Sequence, residues 1–357
     1  MPPAAAARGR GAVSNASGRY ETLSREGFDD GWSPDDAPPA KLQTTLTPER
    51  IRTVISRNDS PDIGFDQSIN TYRGCEHGCI YCYARPAHAY MGLSPGVDFE
   101  SQLFFKPDAA ATLRRELGRP GYRCRPIHIG GNTDVYQPAE GSLQITRGVL
   151  EVLRDCDHPF STITKSALIT RDADILGAQG RRGLAKAYVS VTTLDRKLAR
   201  TLEPRAATPA RRLEAIRALA DAGCPVGVGF SPVIPGLNDH EMEAVLEAAR
   251  EAGASEAMFI VVRLPREIAG LFKEWLAANV PDRAARVMSL IRQMRGGREN
   301  DSAFGGRMAG SGPIAELYRR RFNMACQRLG LNAAHARLRS DLFRPPRPET
   351  AQLELFG

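Results

Sequence analysis

The chain has 357 residues, of which 42% are hydrophobic and 25% are charged, as in an ordinary globular protein rather than a disordered or fibrous one. It contains no apolar run of about 18 residues and no apolar signal-peptide core, so we expect no membrane association and a cytoplasmic location. The net charge of +7 is uneven: residues 283–357 hold 14 arginines, no lysine and 6 acids, a local charge of +8. That asymmetry favours a polyanionic partner such as DNA, with a solvated arginine-rich face as the alternative.

The chain begins with a segment rich in Ala, Gly, Ser, Pro and Asp, so we expect a flexible N-terminal arm over residues 1–58. After it, short apolar runs alternate with helical patterns. The predicted strands cover residues 68–73, 126–131, 160–165, 188–193, 225–230 and 257–264. The predicted helices between them cover residues 108–117, 143–154, 171–176, 209–222 and 239–251. Because the strands read as continuous apolar runs, the pattern predicts an α/β core of parallel strands covered by helices over residues 59–280.

The C-terminal part differs from this core. Helical patterns at 281–294 and 313–329 predict an Arg-rich helical extension over residues 281–344, joined by a glycine-rich stretch. Residues 345–357 then form a proline-led tail. We expect the extension to close the open side of the core.

Three of the seven cysteines, Cys75, Cys79 and Cys82, lie within eight residues with the spacing C-x3-C-x2-C. A zinc site usually takes four ligands in paired motifs, and no second pair follows here. Three thiolates on one loop can hold three corners of a [4Fe–4S] cluster and leave the fourth iron open. His77 is expected to be a loop residue, and a closed zinc or ferredoxin-type site is the alternative.

This cysteine motif resembles that of the radical S-adenosylmethionine (SAM) enzymes. The resemblance implies a partial (β/α)6 barrel of the TIM type, a [4Fe–4S] cluster, SAM as cofactor and an electron donor such as flavodoxin or ferredoxin. In this superfamily the reduced cluster cleaves SAM to a 5′-deoxyadenosyl radical. The segments 133–140 and 231–239 further resemble the spore photoproduct lyase-like branch, often labelled DNA repair photolyases.

The resemblance also implies residues that bind SAM at the C-terminal ends of the strands. A glycine-rich turn would approach the amino group, a lysine would pair with the carboxylate, strand hydroxyls would bind the ribose, and an aromatic ring would lie near adenine. These residues are, in chain order, Tyr81, Gly130, Gly131, Asn132, Thr133, Lys165, Ser190, Thr192, Glu203 and Arg205. The alternatives are loop packing for Tyr81, ordinary surface or strand positions for Lys165, Ser190 and Thr192, and an exposed ion pair for Glu203 and Arg205.

Two features set limits on the resemblance. Lyases of this type use a cysteine as hydrogen donor near the tip of the second strand, where this chain has Gly130 and Gly131. Dimer reversal is therefore not predicted.

Asp134 and Glu140 are alternatively explained as caps of the turn and of the following helix, and Asn238 or Asp239 as the cap of a later one.

The last residues, Gln352, Leu353, Leu355 and Phe356 among them, resemble the pentapeptide with which bacterial proteins bind the sliding clamp. A tail that docks on its own domain is the alternative. Taken together, the sequence predicts a radical SAM enzyme acting on a nucleic acid in DNA repair or modification. The rivals are a radical SAM enzyme that modifies RNA, protein or a small molecule, and a non-catalytic iron–sulfur module recruited to the clamp.

Overall fold

The computed structural model describes residues 9–21 and 42–346. Its strands are β1 (Thr45–Pro48), β2 (Ile55–Arg57), β3 (Gln67–Ile69), β4 (Tyr72–Arg73), β5 (Gln102–Phe105), β6 (Ile127–Ile129), β7 (Phe160–Thr164), β8 (Ala185–Ser190), β9 (Val226–Val233) and β10 (Glu256–Val261). Its α-helices are α1 (Asp98–Ser101), α2 (Ala109–Leu117), α3 (Glu140–Leu143), α4 (Ile145–Asp155), α5 (Ala173–Arg181), α6 (Arg196–Leu202), α7 (Pro209–Asp221), α8 (Met242–Glu251), α9 (Ile268–Asn279), α10 (Pro281–Gln293) and α11 (Gly312–Leu329). No helix in these two ranges is long and apolar enough to cross a membrane.

The main sheet of the described chain has seven strands in the order β10-β9-β8-β7-β6-β3-β2. Within this sheet, β3 pairs in parallel with β6, and each later strand up to β10 pairs in parallel with the one before it. Strand β2 adds antiparallel to β3 at the edge. Parallel neighbours in sequential order require a crossover after each strand, and helices supply those crossovers. The edges β10 and β2 do not pair, so the sheet is the partial (β/α)6 barrel that the sequence predicts.

The strands bury one face against the helices and turn the other toward the inside of the barrel. Ile127, Phe160 and Val228 belong to the main hydrophobic core and are fully buried. Side chains alternate between the two faces along a strand. The inward face carries polar side chains, and one such contact joins His128 Nδ1 and Ser161 Oγ at 2.9 Å.

The helix ends follow local rules. Helix α7 starts at Pro209, whose ring fits the first turn, and it is followed by Gly223 at φ 86°. Helix α11 likewise has a proline in its first turn and ends at Gly330 in the left-handed conformation. The predicted helices at 281–294 and 313–329 are confirmed within one residue by α10 and α11.

The first predicted strand, 68–73, is wrong as a single element. It divides into β3 in the main sheet and β4, which joins β5 and β1 in a separate sheet. Between them Thr71 and Asn70 turn the chain, and the carbonyls of both accept hydrogen bonds from Lys106. The chain therefore leaves the barrel before the cysteines begin.

The N-terminal arm is not featureless. Within residues 1–58 the chain forms β1 and β2, and Arg10, Gly11 and Ala12 are buried. A Cβ on Gly11 would lie 1.9 Å from the carbonyl oxygen of Gly78, so this position requires glycine. A flexible arm is thus the wrong description for residues 10–12.

The C-terminal extension bridges the gap between the two barrel edges. We call residues 303–310 the seam. On one side, the Val261 N–H of β10 donates to the carbonyl of Met308 at 2.8 Å. On the other side, Asp62, in the loop between β2 and β3, accepts from the Gly305 N–H at 2.8 Å and from Arg307 Nε at 2.5 Å. The expectation that the extension closes the open side holds for these contacts.

Candidate active site

The cysteine loop, residues 74–85, follows β4 at the C-terminal rim of the barrel. Cys75 and Cys79 are buried and Cys82 is half-buried. Burial raises the pKa of all three thiols, and the charges of Cys79 and Cys82 raise the pKa of Cys75 further, since the three groups lie near one another. Buried thiols of this kind become thiolates when a metal replaces their protons.

The donor set fits an iron–sulfur cluster held at three corners. His77, the other metal-ligand type on the loop, directs Nδ1 toward Asp134 Oδ2 at 3.2 Å and is fully buried there. It is therefore engaged elsewhere, as the sequence predicts. Within the two described ranges, no three His, Cys, Asp or Glu side chains gather closely enough to surround a single metal ion.

A buried ion pair fixes the path of the cysteine loop. Arg85 pairs with Glu100 at 2.5 Å, and neither side chain is exposed. The other guanidinium hydrogens are donated to four backbone carbonyls, those of Gly78, Cys79, Pro95 and Gly96. All five donors of an arginine are thereby used, which specifies one loop conformation.

The N-terminal segment completes this ion pair. Glu100 accepts hydrogen bonds from the backbone N–H groups of Gly11 at 2.8 Å and Ala12 at 2.9 Å. Arg10 donates to the Glu100 carbonyl at 2.5 Å. Sequence reasoning missed this role of residues 10–12, because the partners are about ninety positions apart and the Arg-Gly pattern is typical of a tail.

The glycine turn, residues 130–134, follows β6. Gly130 has φ 91°, and Asn70 Oδ1 accepts from the Asn132 N–H at 2.8 Å and the Thr133 N–H at 3.3 Å. Thr133 Oγ1 donates to the carbonyl of Tyr72 at 3.2 Å. The Gly131 carbonyl accepts from the Tyr83 hydroxyl, which brings the turn against the cysteine loop.

Asp134 joins the turn to the loop and to β7. It accepts from Thr164 Oγ1 and from the Lys165 N–H, each at 2.7 Å, and from the Tyr136 N–H at 2.9 Å. Burial raises the pKa of Asp134, but the His77 charge and these hydrogen bonds outweigh it and hold the pKa at about 2. The interpretation of Asp134 as a turn cap is confirmed.

Glu140 is also a cap. It accepts from the Thr146 N–H at 3.1 Å and the Arg147 N–H at 3.3 Å, at the start of α4. Asn238 and Asp239, by contrast, make no side-chain cap within the described helices. Instead Asn238 Nδ2 donates to the Thr192 carbonyl at 2.7 Å, so it ties the turn after β9 to β8.

A second buried network connects the cysteine loop to β8. The Tyr81 hydroxyl donates to Glu203, and Thr192 Oγ1 donates to the same Glu203 oxygen at 2.6 Å. The other Glu203 oxygen pairs with Arg212. Burial raises the pKa of Glu203 while Arg212 opposes that effect.

The predicted pairing of Glu203 with Arg205 is therefore wrong. Glu203 is 2% exposed and bonds Arg212, whereas Arg205 pairs with Glu76 at 2.9 Å. Sequence reasoning missed Arg212, which lies on the buried face of α7. An arginine in the apolar register of a helix, near a glutamate, is the signal that would have indicated it.

Three further polar groups lie near this network. Lys165 Nζ lies 5.8 Å from the ring centre of Tyr81. A Cβ on Gly229 would lie 3.4 Å from Ser190 Oγ, so glycine leaves that hydroxyl room. Ser231 Oγ is buried and has no hydrogen-bond partner among the described residues. A buried hydroxyl without a partner is costly unless a ligand satisfies it, which fits a bound cofactor.

The clamp-like peptide with Gln352, Leu353, Leu355 and Phe356 lies outside the described residues. The Arg-rich extension is described, and its exposed arginines are largely paired. On α11, Arg319 and Arg320 contact Glu316, Arg321 contacts Glu243 and Arg328 contacts Glu247. These pairs favour the solvated-face alternative for this helix.

Comparisons with solved structures show the fold. The chain is similar to spore photoproduct lyase, including a form complexed with dinucleoside spore photoproduct. The TM-score is 0.57 at 15% sequence identity, with 80% of each chain covered.

Comparisons of sequence show the family. The chain is 36% identical over 231 residues to an uncharacterised protein of Mycobacterium tuberculosis, covering 64% of this chain and 68% of that one. It is 25% identical over 233 residues to an uncharacterised protein of Methanocaldococcus jannaschii, covering 65% of this chain and 83% of that one. The radical SAM superfamily model matches residues 69–249, about half of the chain. The chain therefore belongs to the radical SAM superfamily, whose enzymes use a [4Fe–4S] cluster and SAM.

Proposed function

We propose that Cys75, Cys79 and Cys82 hold the [4Fe–4S] cluster and that this enzyme generates a radical that acts on a nucleic acid substrate. The observation that carries the first part is the set of three neighbouring thiols on one loop at the barrel rim, two of them buried and the third half-buried. When bound, the cluster and SAM supply a one-electron cleavage of the sulfonium that yields a hydrogen-abstracting 5′-deoxyadenosyl radical.

The surrounding residues have distinct tasks in this proposal. Lys165, beside the Tyr81 ring, pairs with the carboxylate of SAM. Ser190 and the unpartnered Ser231 hydroxyl bind the nucleoside part. Thr192 and Glu203 act through Tyr81, because Thr192 Oγ1 and the Tyr81 hydroxyl both donate to one Glu203 oxygen and Arg212 holds the other.

The turn of residues 130–133 forms the opposite wall of the SAM site. Its N–H groups at 132 and 133 are already engaged by Asn70, so its remaining carbonyls are the groups that meet the amino group of SAM. Arg205 keeps Glu76 in place next to Cys75. An electron donor of the flavodoxin or ferredoxin type reduces the cluster.

Two observations support a nucleic acid substrate. The fold is similar to that of spore photoproduct lyase, a protein complexed with a dinucleoside lesion, and the chain carries a net charge of +7. Reversal of a thymine dimer is not part of the proposal. The cysteine expected near Gly130 is absent, and among the described cysteines outside the loop, Cys156, Cys224 and Cys326 are buried in the core.

The test is transfer of substrate hydrogen. Anaerobically reconstituted, reduced enzyme is incubated with SAM and with perdeuterated oligonucleotides, either intact or ultraviolet-damaged. We expect faster formation of 5′-deoxyadenosine when the substrate is present and deuterium in that product, measured by mass spectrometry. The Cys79→Ala variant gives neither. If the rate of SAM cleavage is the same with and without DNA or RNA, and no deuterium is transferred, the nucleic acid part of the proposal is contradicted. A protein or small-molecule substrate is then favoured.

The tail is a separate proposal. We infer from its sequence that residues 352–356 bind the sliding clamp and bring the enzyme to DNA. Removal of residues 352–357 is expected to abolish co-purification with the clamp, while SAM cleavage stays unchanged. Equal clamp binding with and without the tail contradicts this proposal.

A further inference from the structure

Arg263 lies on the rim of the barrel, two positions after the end of β10. It is half-buried, and its Nε is buried without a hydrogen-bond partner among the described residues. Its Nη1 contacts the Met308 thioether at 3.7 Å, which is a weak acceptor. In the described chain, no carboxylate lies within ion-pair distance of this guanidinium.

Each of the other buried or half-buried arginines of the described chain has a carboxylate or a backbone carbonyl as partner. Some form ion pairs with acids, namely Arg85, Arg114, Arg147, Arg171, Arg212, Arg307 and Arg321. Arg295 donates to four backbone carbonyls, and Arg10 donates to the carbonyls of Glu100 and Leu42. Arg295 Nε is also buried without a partner among the described residues, but the Arg295 guanidinium is held by its carbonyl partners. Arg263 alone in this set has neither a carboxylate nor a backbone carbonyl as partner. An unsatisfied cation in partial burial costs free energy in the ligand-free protein.

The surroundings of Arg263 join the cysteine loop to the seam. Burial lowers the pKa of Arg263, as does Arg307, while Tyr83 and Asp62 raise it, so all three groups lie near the guanidinium. Asp62 is already occupied by Arg307 and the Gly305 N–H. Tyr83 hydrogen-bonds the glycine turn. The guanidinium therefore stands at the mouth of the barrel, next to the loop that carries the cysteines.

We propose that Arg263 binds a phosphate group of the substrate and so anchors the nucleic acid over the barrel mouth. This inference rests on the proposed function, since it names the substrate group that the same site recognises. A guanidinium matches a phosphate with two parallel N–H···O bonds, and the unpartnered Nε is one member of such a pair.

The carboxylate of SAM is a poorer match for Arg263. Lys165 already supplies a cation beside Tyr81, and its charge opposes the rise that burial causes in the pKa of Cys79. Arg263 instead follows β10, at the edge of the sheet, where it meets Met308 of the seam. The two cations thus serve different anions, one in the cofactor and one in the substrate.

The experiment compares binding of two oligonucleotides by full-length reconstituted enzyme. The first probe is a short fluorescent oligothymidylate, and the second is the same oligomer with an uncharged methylphosphonate backbone. Arg263→Gln and Arg263→Lys are compared with Arg266→Gln, which removes a nearby exposed arginine that bonds the Tyr90 hydroxyl at 3.0 Å. Anisotropy gives the affinities, and SAM binding and thermal melting verify that the site is intact.

We expect Arg263→Gln to weaken binding of the charged oligomer by about tenfold or more, because a charge-assisted contact is lost. The slope of log affinity against log salt should become shallower by about 0.7, as for one phosphate contact on a single strand. Arg263→Lys retains part of the affinity, and Arg266→Gln and the uncharged oligomer show little change.

Three outcomes overturn the inference. Unchanged binding of the charged oligomer by Arg263→Gln leaves the proposed function standing but removes Arg263 from it. An equal loss for charged and uncharged oligomers, or a loss of SAM affinity, assigns Arg263 a structural or cofactor role instead. Absence of oligonucleotide binding by the unmodified enzyme contradicts both the inference and the nucleic acid part of the proposed function.

Discussion

The two sides of the barrel rim differ in how their charges are satisfied. On the side of the cysteine loop, Arg85 pairs with Glu100 and Glu203 pairs with Arg212, with all four side chains buried. On the side of β10, Arg263 has a buried Nε without a partner in the described chain. The charges that hold the cysteine loop are paired without a ligand, whereas the charge of Arg263 is not.

This difference in charge pairing corresponds to two physical tasks, which are to hold a cluster and to exchange a substrate. A cluster needs a loop whose shape is fixed before the metal arrives, and full hydrogen bonding fixes it. A substrate site must exchange its ligand, so its polar groups are left available for the substrate. Paired charges thus hold the cysteine loop, and an unpaired charge lies where we propose that the substrate binds.

The largest expected effect is on the cysteine loop. Cys75→Ala, Cys79→Ala or Cys82→Ala should each remove the cluster and reduce 5′-deoxyadenosine formation to the level without enzyme, because one thiolate corner is lost. Iron content and product are measured after anaerobic reconstitution. Cys124→Ala, outside the loop and half-exposed, is the control that keeps both. A Cys82→Ala protein with full iron and activity would contradict the assignment.

The next effect tests whether the loop is held by its buried ion pair. Glu100→Gln leaves Arg85 buried without a counter-charge and replaces one of the two oxygens that accept from the Gly11 and Ala12 N–H groups with an amide donor. We expect a loss of about 3–5 kcal/mol in unfolding free energy. Asp155→Asn, which breaks exposed pairs with Arg114 and Arg154, should cost about 1 kcal/mol or less. Denaturant titration compares them, and equal losses would refute the contrast.

At the N-terminal end of the barrel strands, opposite the cysteine loop, His158 provides a test of how stability depends on pH. His158 lies before β7, with Nε2 at 2.8 Å from the Tyr122 hydroxyl, and burial lowers its pKa from 6.5 to about 4. The unfolded chain binds a proton as the pH falls through about 6.5, while the folded chain resists until about 4. Stability is therefore lost as the pH falls across that window, by about 2 kcal/mol between pH 7 and pH 5.

His158→Gln should flatten this part of the pH dependence by that amount, as measured by urea unfolding at each pH. His335→Gln, on the surface, is the matched control. The account is wrong on this point if both variants retain the full pH dependence of the unmodified protein.

The smallest effect concerns the arginines of α11. Arg320 is exposed and pairs with Glu316 at 3.2 Å. Arg320→Gln should change the unfolding free energy by about 0.5 kcal/mol or less. Oligothymidylate affinity should also change far less than in Arg263→Gln, because the Arg320 charge is already compensated. A larger loss of binding for Arg320→Gln would move the nucleic acid surface to the extension.

Much of the core could be predicted from the sequence, because its signals are local. Apolar runs predicted the strands of the barrel, and helical patterns predicted α10 and α11 within one residue. The cysteine spacing indicated the loop at the rim. Only two residues separate β3 from β4, and the turn between them depends on Lys106, which is remote in sequence. Because no local pattern shows this turn, the sequence predicts one strand where the structure has two.

The site was less predictable because its partners are remote in sequence. Glu203 neighbours Arg205, and adjacency suggested their pairing. The fold instead brings Arg212 to Glu203 and Glu76 to Arg205. Burial of Arg10 against Glu100 likewise depends on a chain path that no local pattern encodes.

The most direct test of the central claim is reductive cleavage of SAM by the reconstituted, full-length protein, followed by quantification of 5′-deoxyadenosine. The account predicts product in the reduced protein, a change in the electron paramagnetic resonance spectrum of the cluster on addition of SAM, and loss of both in Cys79→Ala. Iron-replete, reduced protein that leaves SAM intact and its spectrum unchanged, with or without oligonucleotide, would contradict it.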